Sequence, residues 1–385
     1  SSCHMKFSLG VPFTERFFQL AENGDARRPA GFVGLITANS FMKREFGKKL
    51  IEDFLPRVDL THVIDTAGAY LPGHGTPTVI LFGRERAPYT RTVRAVMGIK
   101  GEPGTPADPA QGLVWQAIVN QVDCAGSESA FVSVADVPRE TLGRHPWSIG
   151  GGGAADLKEA IEETAEHALT TSGAVVGVLG MTNVDEIYLA TTGIFKRSRV
   201  EDNCYCRLVL GDAVRDWSDE AEDSVIFPYA DLKLINISDY PGFYRFAWPA
   251  RTLMGNRATF GKQTYFLEGR PWWEWHQLTK DRLVAPFIIT FAEVATHNHF
   301  VLDRGGKVFN RTAPVIKLPA GASEAEHLEL IGLLNSSTAC FWLKQVSHNK
   351  GSTVDQKGAR QTTDPFENFY QFNGTKVAQF PLPES

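Results

Sequence analysis

Apolar and polar positions alternate with changing period along the first ninety residues. PFTERFFQLAENG repeats at helical spacing and predicts an amphipathic helix, with Phe13, Phe17, Phe18 and Leu20 inward and a stop at Gly24. Gly31–Thr37 reads as a short buried strand, and MKREFGKKLIEDFLP as a helix ended by Pro56. LTHVIDTAG and TPTVILFGRE are two more strands, joined by a loop short enough for an antiparallel hairpin at one edge of the sheet. Strand, helix and strand in this order predict an α/β region with a mostly parallel sheet. The region supplies too few strands for a full doubly wound sheet, so a partial Rossmann-like sheet is expected.

Residues 100–150 are rich in Gly, Pro and Asp and predict irregular connection, followed by a helix from about Ala154 to Thr170. From Ala174 to about Pro319 the period shortens to two. AVVGVLG, EIYLATTGIF, YCRLVLG, SVIFPY, YRFAW, APFIITF, HNHFVLD, KVFN and APVIKL read as short strands of a β-rich α+β domain. SEAEHLELIGLLNSSTACFWLKQVSHN returns to helix, with Leu328, Ile331, Leu334, Cys340, Phe341 and Leu343 at helical spacing. The expected organisation is an α/β region over 1–115, a linker with a connecting helix over 116–173, and a β-rich domain over 174–385.

Composition keeps this picture within ordinary globular proteins: 385 residues, 43% hydrophobic, 22% charged, mean hydropathy −0.17. No apolar run reaches the length of about 18 residues that a membrane helix needs. Five scattered cysteines without CxxC pairs fit free thiols in a reducing cytoplasm. Cys204 and Cys206 read as buried packing in preference to a metal pair. The net charge of −5 speaks against a nucleic-acid binder only on average. Asp212–Asp223 is an acidic block, whereas Arg251–Arg282 and Lys344–Arg360 are locally basic, and DNA responds to the local field.

Several stretches suggest chemistry. Gly150–Gly153 runs into a helix and spells G-x-G-x-x-A, yet no buried strand precedes it and no Lys-Ser/Thr follows, so it reads as a joint between domains. His297 and His299 form half a metal site at most, and no metal is implied. GRPWWEWHQLTKDR sets three tryptophans beside Arg270, His276, Lys280 and Arg282. The C-terminal NKGSTVDQKGARQTTDPFENFYQFNG interleaves Lys350, Lys357, Arg360 and Gln361 with aromatic residues. Cationic side chains hold phosphates and Arg or Gln can read base edges, while core packing is the competing role for the tryptophans.

The order of these segments resembles the adenine-specific DNA methyltransferases with a fused target-recognition domain, in particular those of BREX-type phage defence. KFSLGVPFTERFF followed by GFVGLITANSF, the hairpin AYLPGHGTPTVILF, EIYLATTGIFKRSR, GRPWWEWH, HFVLDRGGKVFN and LIGLLNSSTACFWLKQ carry the resemblance over nearly the whole chain. It implies methyl transfer from S-adenosylmethionine to adenine N6 in double-stranded DNA. It also implies Tyr70 as the residue that stacks on the extruded adenine, with Pro72 and Thr78 as companions. Phosphate and base contacts would come from Lys196, Arg197, Arg199, Arg270, His276, Lys280, Arg282, Lys350, Lys357, Arg360 and Gln361. The family's cofactor loop and N-P-P-Y tetrad do not occur, so the cofactor is expected to be bound by residues outside this chain, and the chain alone to be inactive. The alternatives are a protein-interaction scaffold that docks other defence subunits through Trp273 and Trp275, and a nucleotide-binding enzyme using Gly150–Gly153.

Overall fold

A computed structural model describes residues 2–24, 29–215, 217–220, 222–351 and 368–383. The chain forms two compact units. The first comprises Ser1–Glu166, Phe341–Gln371 and Pro383–Ser385; the second comprises His167–Cys340 and Phe372–Leu382.

The first unit is built on a five-stranded sheet: β1 (Phe32–Ala38), β2 (Asp59–Asp65), β3 (Thr78–Arg84), β4 (Thr92–Gly98) and β5 (Val132–Pro138), in the order β1-β3-β2-β4-β5. The predicted hairpin of β2 and β3 is present, but it lies inside the sheet, because β3 also pairs with β1. The expected parallel character is corrected. Only β2 and β4 pair in parallel; β1–β3, β2–β3 and β4–β5 are antiparallel. The loop from β2 to β3 carries no crossover helix, so the chain must reverse there. Residues 100–150 are more ordered than their Gly and Pro content suggests. They contain helix α2 (Leu113–Gln121) and β5, whose alternating Val132 and Val134 share a core with Ile64, Val96, Val114 and Ile118.

Period-two alternation assigns the two faces of the sheet. Val33, Leu35, Val63, Val79, Leu81 and Val93 face a core closed by helix α1 (Gly10–Leu20) and the segment 39–57. In α1 the helical phase differs from expectation: Val11, Thr14 and Phe18 are buried, whereas Phe13, Phe17 and Leu20 are exposed. Apolar residues occupy both sides of this helix, so the periodicity alone did not select the inner one. The segment 39–57 is a series of 3₁₀ and π turns instead of one helix. Gly47 sits so close to the Phe41 carbonyl that a Cβ would lie 1.8 Å from the oxygen, which forces the tight turn. Helix α3 (Ala154–Glu163) is shorter than expected.

The second unit contains two four-stranded sheets. One orders Lys307–Phe309, Tyr205–Val209, Asp223–Ile226 and Leu189–Thr191; the other orders Phe300–Asp303, Ile288–Phe291, Val315–Lys317 and Val175–Gly177. The short-strand pattern is thus largely present. YRFAW is the exception: Tyr244–Ala247 end the helix Pro241–Ala247, and Trp248 begins the 3₁₀ turn that follows. Pro241 opens that helix, and the Glu201 carboxylate accepts from the amides of Gly242 and Phe243 at 2.8 and 2.9 Å. The predicted C-terminal helix is two helices, Glu324–Leu334 and Ser337–Val346, the first begun by a capping box of Ser323 and Glu326. Leu328 is exposed, while Ile331, Leu334 and Leu343 are buried. No helix among the described residues is long and apolar enough to cross a membrane.

Candidate functional site

The first unit encloses a cavity of about 470 Å³. One wall is the loop after β2. Its neck is closed by the hydroxyls of Thr66 and Thr78, 2.7 Å apart, and it carries Tyr70 on the cavity lining. Helix α2 fixes this loop through Trp115, whose Nε1 donates to the Tyr70 carbonyl at 3.0 Å.

The second wall is the glycine run. Gly151 donates to the Gly98 carbonyl at the end of β4, at 3.1 Å. A Cβ on Gly151 would lie 2.7 Å from both Ile99 Cγ1 and Ser133 Oγ, and Gly152 and Gly153 have φ of +63° and +78°. The run is therefore fixed against the sheet inside one unit, with the change of unit at Glu166 and His167. This corrects its reading as an interdomain joint.

The third wall was not anticipated. The end of the helix Ser337–Val346 and the strand His348–Gly351 return to the first unit and contribute Lys344, Gln345, Ser347, His348 and Asn349. Lys43 Nζ donates to the Gln345 carbonyl, and Ser148 Oγ donates to Gln345 Oε1 at 3.2 Å. The Lys344 ammonium lies 5.2 Å from the centre of the Tyr370 ring, which also lines the cavity. Ser347 Oγ is buried with no hydrogen-bond partner among the described residues. The signal available in the sequence was the density of polar side chains in KQVSHN, which a periodicity argument treats only as a helix end.

Burial raises the Asp65 carboxyl above the usual range, opposed by the Ala67 and Gly98 amides and the Lys43 charge. Burial pushes the His348 imidazole down to about 4, reinforced by the positive charges of Arg44 and Lys350. At neutral pH this ring is therefore uncharged. An aromatic ring, neutral amides and imidazole, and flanking lysines suit a flat polar ring attached to an anionic backbone.

The other predicted contacts divide by environment. Lys196, Arg197 and Arg199 are exposed at and beyond the end of the helix Thr192–Arg197, and Lys280 and Lys350 are also exposed. Arg270 pairs with Glu274 at 2.9 Å and lies over the Tyr265 ring. His276 is buried against Phe260, ring centroids 4.4 Å apart, and burial lowers its pKa. Arg282 donates to the Val178 carbonyl. Lys357, Arg360 and Gln361 lie outside the described residues.

The tryptophan segment is core. Trp272 and Trp275 are buried, Trp275 Nε1 donates to the Ile226 carbonyl at 2.8 Å, and the Arg257 guanidinium binds the carbonyls of Trp272 and Glu274. Burial withdraws Trp275 from the docking role weighed above. The rings of His297 and His299 lie 4.2 Å apart, but among the described residues no group of three or more side chains could hold a metal ion. Cys204 is buried and Cys206 partly so, and burial pushes both thiols up to about 12.

No family model matches the chain. It is 49% identical, over 392 aligned positions and 99% of its length, to the adenine-specific methyltransferase PglX of Streptomyces coelicolor, and it spans 32% of that protein. Among solved structures, the type IIL restriction-modification enzyme MmeI in complex with DNA superposes with a TM-score of 0.54 at 9% identity, over 90% of this chain and 38% of that one. This likeness concerns the fold. The type IIG restriction endonuclease BpuSI matches with a TM-score of 0.37 at 11% identity, over 99% of this chain and 42% of that one.

Proposed function

We propose, from the likeness of 99% of the chain to about a third of an adenine-specific methyltransferase, that it is the DNA target-recognition portion of an S-adenosylmethionine-dependent adenine-N6 DNA methyltransferase in BREX-type phage defence. That likeness carries the reading, and the cavity beside Tyr70 supports it. On this reading the sheet of the first unit is the late part of a Rossmann-like methyltransferase sheet. The second unit is the core of the recognition domain.

An adenine extruded from the duplex costs a few kcal/mol of lost stacking, which an aromatic face and polar contacts must offset. Tyr70 supplies the face, and the neutral groups of Gln345, His348 and Asn349 supply the polar contacts. Phosphates are held by the exposed Lys196, Arg197, Arg199, Lys280 and Lys350. Arg270, His276 and Arg282 are occupied inside the second unit and are assigned a supporting role there instead of a phosphate contact.

The described residues do not fit S-adenosylmethionine itself. The glycine run follows an irregular stretch instead of a strand, and the Glu102 carboxylate is held by the Leu113 and Val114 amides at 2.9 and 3.0 Å. Three lysines, 43, 100 and 344, border the cavity, an unfavourable setting for a sulfonium. Cofactor binding is assigned to other parts of a longer protein, and no step through the cofactor follows from this chain. The test is methyl transfer from labelled S-adenosylmethionine to duplex DNA. The reading expects none from the chain alone and adenine methylation from the longer protein; methylation by the chain alone, or of cytosine only, would overturn it.

A further inference from the structure

Ser347 stands where the helix Ser337–Val346 gives way to the strand His348–Gly351, on the wall that the returning chain adds to the cavity. It is 1% exposed, and its Oγ has no hydrogen-bond partner among the described residues. Its amide donates to the Leu343 carbonyl at 2.9 Å, so the backbone is anchored and the hydroxyl is left over. A hydroxyl carries one donor and two acceptor sites, and burying it without a partner destabilises a fold in a way that alanine would not. Native structures keep few such groups. One that lines a cavity is accounted for by what enters the cavity.

The polar groups beside it are partly spent. The Gln345 carbonyl accepts from Lys43, and Gln345 Oε1 from Ser148. Asn349 Oδ1 accepts from the Gly351 amide at 2.6 Å, and its Nδ2 donates to the Tyr370 hydroxyl at 3.4 Å. The charge of the lining selects the occupant. Lys43, Lys100 and Lys344 face the carboxyl groups of Asp65 and Glu102, and Glu102 is already engaged by the Leu113 and Val114 amides. With cations in excess and the rings of Tyr70 and Tyr370 on the lining, the cavity suits an aromatic base carried on a phosphate chain.

We infer that Ser347 is a base-contact residue: its hydroxyl donates to a ring nitrogen of the extruded adenine. Adenine presents such acceptors on its edges, N7 and N3 among them. The inference rests on the proposed reading, in which an adenine enters this cavity. It adds that the base is gripped from the C-terminal segment, far from Tyr70 in sequence, by a group that the folded chain leaves without a partner.

Ser347→Ala tests both halves. In the chain alone the variant should melt at or above the wild-type Tm, because the fold loses no bond. A Tm lower by several degrees would show that the hydroxyl is bonded within the fold, and would overturn the inference. In the longer protein, kcat/KM for adenine methylation of duplex DNA should fall roughly tenfold. Substrates in which N1, N3 or N7 of the target adenine is replaced by carbon separate a base contact from a general effect. One of the three replacements should cost the wild type about the same factor and cost Ser347→Ala nothing further, since both changes remove one bond. Equal costs of all three in both proteins, or an unchanged kcat/KM, would overturn the inference and leave the hydroxyl to a bound water. No adenine methylation by the longer wild-type protein is a different result: it would refute the proposed function itself, and the inference with it.

Discussion

Trp115 donates its indole hydrogen to the carbonyl of Tyr70 at 3.0 Å, so helix α2 holds the backbone of the residue assigned to face the extruded base. Trp115→Phe keeps the apolar packing and removes this bond. It should cost about 1 kcal/mol in urea denaturation and speed hydrogen exchange in the loop 66–77. An unchanged midpoint together with unchanged exchange would show that the loop is held by other contacts.

Tyr70 itself should tolerate loss of its hydroxyl better than loss of its ring. Stacking of a base on an aromatic side chain is worth about 1–3 kcal/mol. Tyr70→Ala in the longer protein is therefore expected to lower adenine methylation tenfold or more, with Tyr70→Phe close to wild type. Equal losses in both variants would point to the hydroxyl and against stacking.

Asp59 is almost fully buried, with its carboxylate 2.7 Å from both Arg86 and Arg139 and its Oδ1 accepting from the Tyr89 amide. Asp59→Ala would strand the two guanidinium groups beside the start of β2. Because both arginines keep some solvent access, the expected cost is about 2–3 kcal/mol, read from a denaturation midpoint. A change within about 0.5 kcal/mol would mean that solvent replaces the carboxylate.

His348 should make stability fall on acidification. Its folded pKa of about 4 lies below the ordinary 6.5. Between those values the unfolded chain binds the proton and the fold does not, so stability is lost as pH falls from 6.5 towards 4. Allowing for partial exposure of the ring, the loss is about 2 kcal/mol. His348→Gln should flatten the profile in that window; an identical profile in the variant would assign the acid sensitivity elsewhere.

Strong periodicity made the strands and the hairpin legible, and the order of weak motifs pointed to the family. What it could not supply was the partner of each face. Phe13 and Phe17 have the spacing of core residues and are exposed, because Val11 and Phe18 on the other side of α1 fill the core. Gly150–Gly153 carried the composition of a linker, yet Gly151 is glycine because Ile99 and Ser133 leave no room for a Cβ. Ser347 and His348 stand about 280 residues from Tyr70 in sequence, and only the return of the chain to the first unit brings them to one cavity. The tryptophans were ambiguous by composition; burial makes Trp272 and Trp275 core, while Trp273 is half-buried with its indole bonded to the Ile235 carbonyl.

The most direct test of the central claim is the salt dependence of duplex DNA binding by this chain. Among the described residues, Lys196, Arg197, Arg199, Lys280 and Lys350 offer five phosphate contacts, each contributing a slope of about 0.9 in log affinity against log salt. Affinity should therefore fall by roughly 500-fold between about 50 and 200 mM salt, and charge reversal at Lys196, Arg197 and Arg199 should reduce the slope. Binding that ignores salt, or no binding to any duplex tested, would contradict the assignment of this chain to DNA recognition.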